Sequence, residues 1–69
     1  MNVSARNQVP GTVCCIKKGD IMSVVTYKLD CGLRMSAVVT TAALEDMGIK
    51  EGMKVTGLIK ATQVMLAVE

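Results

Sequence analysis

The chain has 69 residues with eight Lys and Arg against six Asp and Glu, no His, and one aromatic side chain, Tyr27. That length holds one small domain, taken here as residues 1–69. A net charge of +2 with a single aromatic offers neither the basic surface nor the stacking platforms that nucleic-acid binding uses.

Met1-Asn2-Val3-Ser4-Ala5-Arg6 opens the chain without the basic-then-apolar order of a secretion signal. No apolar run is long enough to span a bilayer. The expectation is a cytoplasmic protein with no membrane partner. Asn2 to Asn7 is a weak strand candidate, set apart from the rest of the barrel by Pro10-Gly11. That separation suggests pairing with a neighbouring subunit.

Gly11 to Lys18 is rich in β-branched residues and reads as a strand. Cys14 and Cys15 are neighbours in it, so strict alternation points them to opposite faces. One is then expected as a small buried hydrophobe and the other as an exposed or interface thiol, with no redox or catalytic role. Gly19-Asp20 reads as a two-residue hairpin with Gly first. Ile21 to Leu29 is the clearest strand, centred on Val24-Val25-Thr26-Tyr27. Asp30-Cys31-Gly32 is a second turn. In Leu33 to Thr40, Leu33, Met35, Ala37 and Val39 alternate with Arg34, Ser36 and Val38, a period of two.

The texture then changes. Thr41 to Met47 predicts a short helix, with Thr40 or Thr41 as N-cap and Gly48 as a left-handed stop. Lys50-Glu51-Gly52 is a turn, Met53 to Lys60 a strand, Ala61-Thr62-Gln63 a kink or short turn, and Val64 to Val68 a last strand. Short strands in antiparallel succession with one helix predict an all-β fold, a small OB-like β-barrel.

Hydrophobic residues make up 51% of the chain, and the core must be built from Val, Ile, Leu, Ala and Met. A domain of this size buries little of its surface, so part of the apolar surface is expected to meet another subunit. Catalysis lacks support. There is no His for a triad, and no Gly-rich phosphate loop. Asp20, Asp30, Glu45, Asp46, Glu51 and Glu69 all fall in turns, on the helix or at the chain end. Three Cys without CxxC spacing and without His make no zinc site. The reading is a binding or structural protein rather than an enzyme.

Oxyanion binding survives these filters. It needs hydrogen-bond donors, some positive charge and open backbone N–H groups. Ser4-Ala5-Arg6-Asn7 and Lys60-Ala61-Thr62 both offer that mix, with small Ala residues exposing the backbone. From residue types alone, an ordinary solvated strand end explains each segment better than a site does.

The run Ser4-Ala5-Arg6-Asn7-Gln8 resembles the start of the molbindin (Mop) domain, a molybdate-binding module also called a TOBE domain. Gly11-Thr12-Val13, Ile16-Lys17-Lys18-Gly19, Ala37-Val38-Val39-Thr40, Met47-Gly48-Ile49 and Lys60-Ala61-Thr62-Gln63 follow in register, so the resemblance spans essentially the whole chain. It implies molybdate, or tungstate, held at contacts between subunits of a homo-oligomer, with a homohexamer expected. The implied ligand set is Ser4, Ala5, Arg6, Asn7, Thr40, Lys60, Ala61 and Thr62, with Ala5 and Ala61 offering backbone groups only. Asn7 ranks below Arg6 and Lys60, and Thr40 has a competing role as helix cap. Thr62 stands where many family members have Ser, which keeps the hydroxyl and adds a methyl. No side chain is expected to ligate a metal cation directly. The implied role is intracellular molybdenum storage or homeostasis. Two other classes remain open: a nucleic-acid-binding OB-fold module, and a structural or regulatory oligomer with no small ligand.

Overall fold

The computed structural model describes residues 6–68. Four strands form one antiparallel sheet: β1 (Asn7–Lys17), β2 (Met22–Leu29), β3 (Arg34–Thr40) and β4 (Lys54–Ile59). The spatial order is β3-β2-β1-β4. A helix, α1 (Thr41–Met47), follows β3, and one turn of 3₁₀ helix (Ala61–Gln63) follows β4. The sheet curls into a half-barrel, so the fold is all-β with one short helix, as the sequence predicts. Among the described residues β3 and β4 do not pair with each other, and the barrel stays open between them.

The inner face is set by period-two alternation. Val13, Val25 and Leu44 are the buried core, and Ile16, Val39, Ile49 and Val55 pack against it. In β3 the half-buried residues are Met35, Ala37 and Val39, while Arg34, Ser36 and Val38 are exposed. Leu33 breaks the expected pattern. It lies in the turn before β3 and is 66% exposed.

Tyr27 is buried on this inner face, and its hydroxyl donates to the Met35 sulfur at 3.7 Å. Two glycines make room for it. A Cβ on Gly57 would collide with the Tyr27 hydroxyl, and one on Gly11 would lie 2.8 Å from its ring. Gly57 pairs with Val9 and Gly11 with Val55, so both sit on the strand pair facing the ring.

Thr40 caps α1, its hydroxyl accepting from the Ala43 N–H at 3.1 Å. Gly48 ends the helix in the left-handed region at φ 64°, where glycine carries no Cβ penalty. Leu44 carries the helix into the core.

Behind the helix, Thr41 donates to the Gly19 carbonyl at 2.7 Å, and the Gly19 N–H donates to Ser23 Oγ at 3.3 Å. Ser23 and Thr41 hydroxyls lie 2.7 Å apart. The Thr41 proton is committed to Gly19, so Ser23 is the donor between them. The three residues close a ring that ties the β1–β2 loop to the helix start.

Several expectations need correction. Gly19-Asp20 is not a two-residue hairpin: the last β1–β2 pair is Lys17↔Val24, and Gly19 has no positive φ. Its backbone is instead held in the ring with Ser23 and Thr41. Pro10-Gly11 does not separate an N-terminal piece, because both lie within β1. Pro10 is tolerated there because β1 reaches back beyond β2, whose pairing begins only at Gly11; one side of the strand at Pro10 has no ladder to interrupt. Val64 to Val68 forms no strand, and all five residues are exposed. The weak strand candidate at Asn2 to Asn7 lies outside the described residues up to residue 5, and Asn7 belongs to β1.

The two adjacent cysteines also depart from expectation. β1 carries a β-bulge between Val13 and Cys15: Val13 pairs with Tyr27 and Cys15 with Thr26, leaving Cys14 as the extra residue. Inward positions therefore step from Val13 to Ile16, and Cys14 and Cys15 are both exposed. Neither is the buried hydrophobe that strict alternation expects, because a bulge adds one residue to the count.

Candidate oxyanion site

The pairing of β1 with β4 builds the site. Asn7 pairs with Ile59 at the end of the ladder, so Arg6 and Lys60 leave the sheet side by side. Lys60 precedes the 3₁₀ turn in extended conformation, at φ −66° and ψ 137°. The turn folds Ala61 and Thr62 back, with the Gln63 N–H bonded to the Lys60 carbonyl at 2.9 Å. Arg6, Lys60, Ala61 and Thr62 together line an open depression of about 240 Å³.

Its chemistry is one-sided. Two cations, one hydroxyl and a small residue line it, with no carboxylate. Among the described residues neither Arg6 nor Lys60 makes an ion pair; the pair that does form is Lys18–Glu45 at 3.0 Å. Other depressions suit an anion less well. One of about 360 Å³ carries Asp30 beside Lys54, and one of about 570 Å³ carries Glu45 and Glu51. The open inner face of the half-barrel, about 400 Å³, is lined mainly by apolar groups such as Val25, Ala37, Val39 and Val55.

The residues predicted from sequence divide three ways. Arg6, Lys60, Ala61 and Thr62 come together. Asn7 is next to them but half-buried in the ladder and does not line the depression. Thr40 is elsewhere: it pairs with Met22 at the far end of the sheet, with two strands between β3 and β4. Ser4 and Ala5 lie outside the described residues. Tyr27 is only 4% exposed on the inner face, so the sole aromatic offers no platform for a base, which counts against the nucleic-acid reading.

A model of the TOBE domain matches residues 3–66. Molybdenum-pterin-binding protein 3 of Clostridium pasteurianum is 38% identical over 66 residues, covering 96% of this chain and 97% of that protein. The chain belongs to the TOBE domain family. Among solved structures, a molybdate-binding protein from Sporomusa ovata superposes with a TM-score of 0.93 at 32% identity, covering 99% of this chain and 100% of that one. The cytoplasmic molybdate-binding protein ModG, solved with molybdate bound, matches with a TM-score of 0.85 at 34% identity, over 88% of this chain and 43% of that one. The TOBE family assignment agrees with the resemblance carried by the Ser4–Gln8 and Lys60–Gln63 runs. It also places the chain among binding proteins rather than enzymes.

Proposed function

We propose that this TOBE-domain chain binds molybdate, and tungstate by the same chemistry, at contacts between copies of itself in a homo-oligomer. The observation that carries this is the cationic, carboxylate-free depression formed by Arg6, Lys60, Ala61 and Thr62. Molybdate is a dianion whose four oxygens all accept hydrogen bonds, so a shell made only of donors fits it. Hydrogen phosphate brings a proton that needs an acceptor, and this lining has no carboxylate to supply one. Sulfate, also a proton-free dianion, is smaller, and is discriminated by the reach of the donors.

One further observation supports a site shared between copies. The depression is open, so one chain covers only part of a bound dianion. Thr40, if it joins the ligand set, must come from another copy, since its own chain holds it at the far end of the sheet. Its hydroxyl accepts from Ala43 N–H and keeps its proton to donate. Ser4 and Ala5 complete the proposed set through a hydroxyl and a backbone N–H, with Asn7 positioning the strand end.

Self-association has its own physical support. The chain exposes 5616 Å², whereas a compact monomer of this mass exposes about 4,200 Å². Met65, Leu66 and Val68 are each more than 90% exposed, at the end of a chain whose half-barrel has an open apolar face. In the oligomer these residues pack on a neighbouring copy, and a hexamer is the assembly the family resemblance favours. The role proposed on these grounds is storage and buffering of molybdate in the cytoplasm, the compartment named for the similar ModG protein.

The test is elemental analysis of the purified oligomer after growth in molybdate, beside titrations with molybdate, tungstate, sulfate and phosphate. Molybdenum at a fixed ratio to the chain, with tungstate competing and phosphate failing to compete, is expected. A featureless titration with every oxyanion would leave a structural oligomer instead.

A further inference from the structure

The bulge in β1 creates a feature that the oxyanion site does not use. Cys14 and Cys15 both face outward between inward-facing Val13 and Ile16, and both are exposed free thiols. Cys15 is directly opposite Thr26 in the ladder. The Cys14 thiol donates to the Thr26 carbonyl at 3.5 Å. The bulge therefore leaves both cysteines exposed beside Thr26 of β2. In an unbulged strand they would lie on opposite faces of the sheet.

We propose that Cys14 and Cys15 form a two-thiolate site for a soft monovalent cation, Cu(I). The choice of ion follows from the ligand count. Among the described residues no group of three or more His, Cys, Asp or Glu stands close enough to share a metal. A structural zinc site needs four such ligands. Two thiolates are a complete set for linear Cu(I), and thiolate sulfur is the ligand that soft ions select. Binding breaks two S–H bonds, forms two Cu–S bonds and releases two protons, with no change in oxidation state. The site is independent of the oxyanion reading, since it lies mid-strand in β1 rather than at the Arg6 end.

The experiment uses the full chain, reduced and kept free of oxygen, with Cu(I) titrated against a chromophoric Cu(I) chelator. Wild type and Cys31→Ser, which alters the cysteine in the β2–β3 turn, are expected to take up one Cu(I) per chain. Cys14→Ser and Cys15→Ser should each weaken uptake by about a hundredfold or more, the loss expected when one arm of a chelate is removed. Wild type alone gives two further readouts: two protons released per Cu(I), and two sulfur neighbours in the X-ray absorption spectrum. No uptake by wild type, uptake unchanged in Cys14→Ser, or uptake lost in Cys31→Ser would each overturn the proposal.

Discussion

Thr41→Val tests whether the ring of Gly19, Ser23 and Thr41 holds the helix start to the sheet. Valine keeps the shape of threonine and removes only the hydroxyl. Two bonds of 2.7 Å are lost, one donated to the Gly19 carbonyl and one accepted from Ser23. Ser23 is 1% exposed, so its proton has no water to turn to, and an unsatisfied buried donor costs about 1–3 kcal/mol. The Gly19 carbonyl is nearer the surface and recovers part of its loss from solvent. A destabilisation of about 2 kcal/mol is expected, roughly 10 °C in melting temperature for a domain of this size. Ser23→Ala removes the stranded donor, so the double variant should be less destabilised than the sum of the singles. The assay is denaturant unfolding at one fixed protein concentration, because association adds to apparent stability. A loss below about 0.5 kcal/mol for Thr41→Val, or strict additivity with Ser23→Ala, would refute the reasoning.

Other outcomes rest on the same geometry. Gly57→Ala drives a methyl into the Tyr27 hydroxyl and should cost about 1–3 kcal/mol; adding Tyr27→Phe should recover part of it, and no recovery in thermal unfolding would show that the clash lies elsewhere. Thr62→Ser keeps the hydroxyl in the depression and should leave molybdate affinity within about twofold, whereas Thr62→Ala should weaken it by roughly five- to tenfold, the value of about one neutral hydrogen bond; equal effects in calorimetry would remove the hydroxyl from the site. Ending the chain after Gln63 deletes the exposed Val64–Val68 segment and should shift sedimentation toward smaller species; an unchanged oligomer would show that this segment is not what covers the neighbouring copy.

Local chemistry explains which parts of the fold were legible in the sequence. The helix was readable because its stop is a glycine with φ 64° and its cap is a threonine hydroxyl, both set by neighbouring residues. β3 was readable because Met35, Ala37 and Val39 alternate against a one-sided core. The bulge at Cys14 was not, since nothing within β1 marks it: it arises because both Val13 and Ile16 reach the same core, Val13 opposite Tyr27 and Ile16 opposite Val25 across the sheet. Val64–Val68 has the composition of a strand, but a strand also needs a partner ladder, and among the described residues this segment pairs with none. In the site, residue types suggested Arg6 and Lys60 only weakly, because their proximity depends on the Asn7↔Ile59 pairing across more than fifty residues of chain. The family resemblance supplied that link, and the register of β1 with β4 gives its physical basis. Thr40 shows the limit, as a residue that fits the donor chemistry but lies beyond reach within one chain.

The central claim is that Arg6 and Lys60 supply the positive charge that holds a dianion. Calorimetric titration of wild type, Arg6→Ala and Lys60→Ala with molybdate, with the oligomeric state measured in parallel, tests it most directly. A charge-assisted hydrogen bond contributes about 1.5–3 kcal/mol, so each variant should bind roughly ten- to a hundredfold more weakly than wild type. Lys60→Arg should not restore affinity fully, since a planar fork replaces a compact ammonium. If both alanine variants remain oligomeric and bind molybdate as tightly as wild type, the dianion is held elsewhere and the proposed site is contradicted.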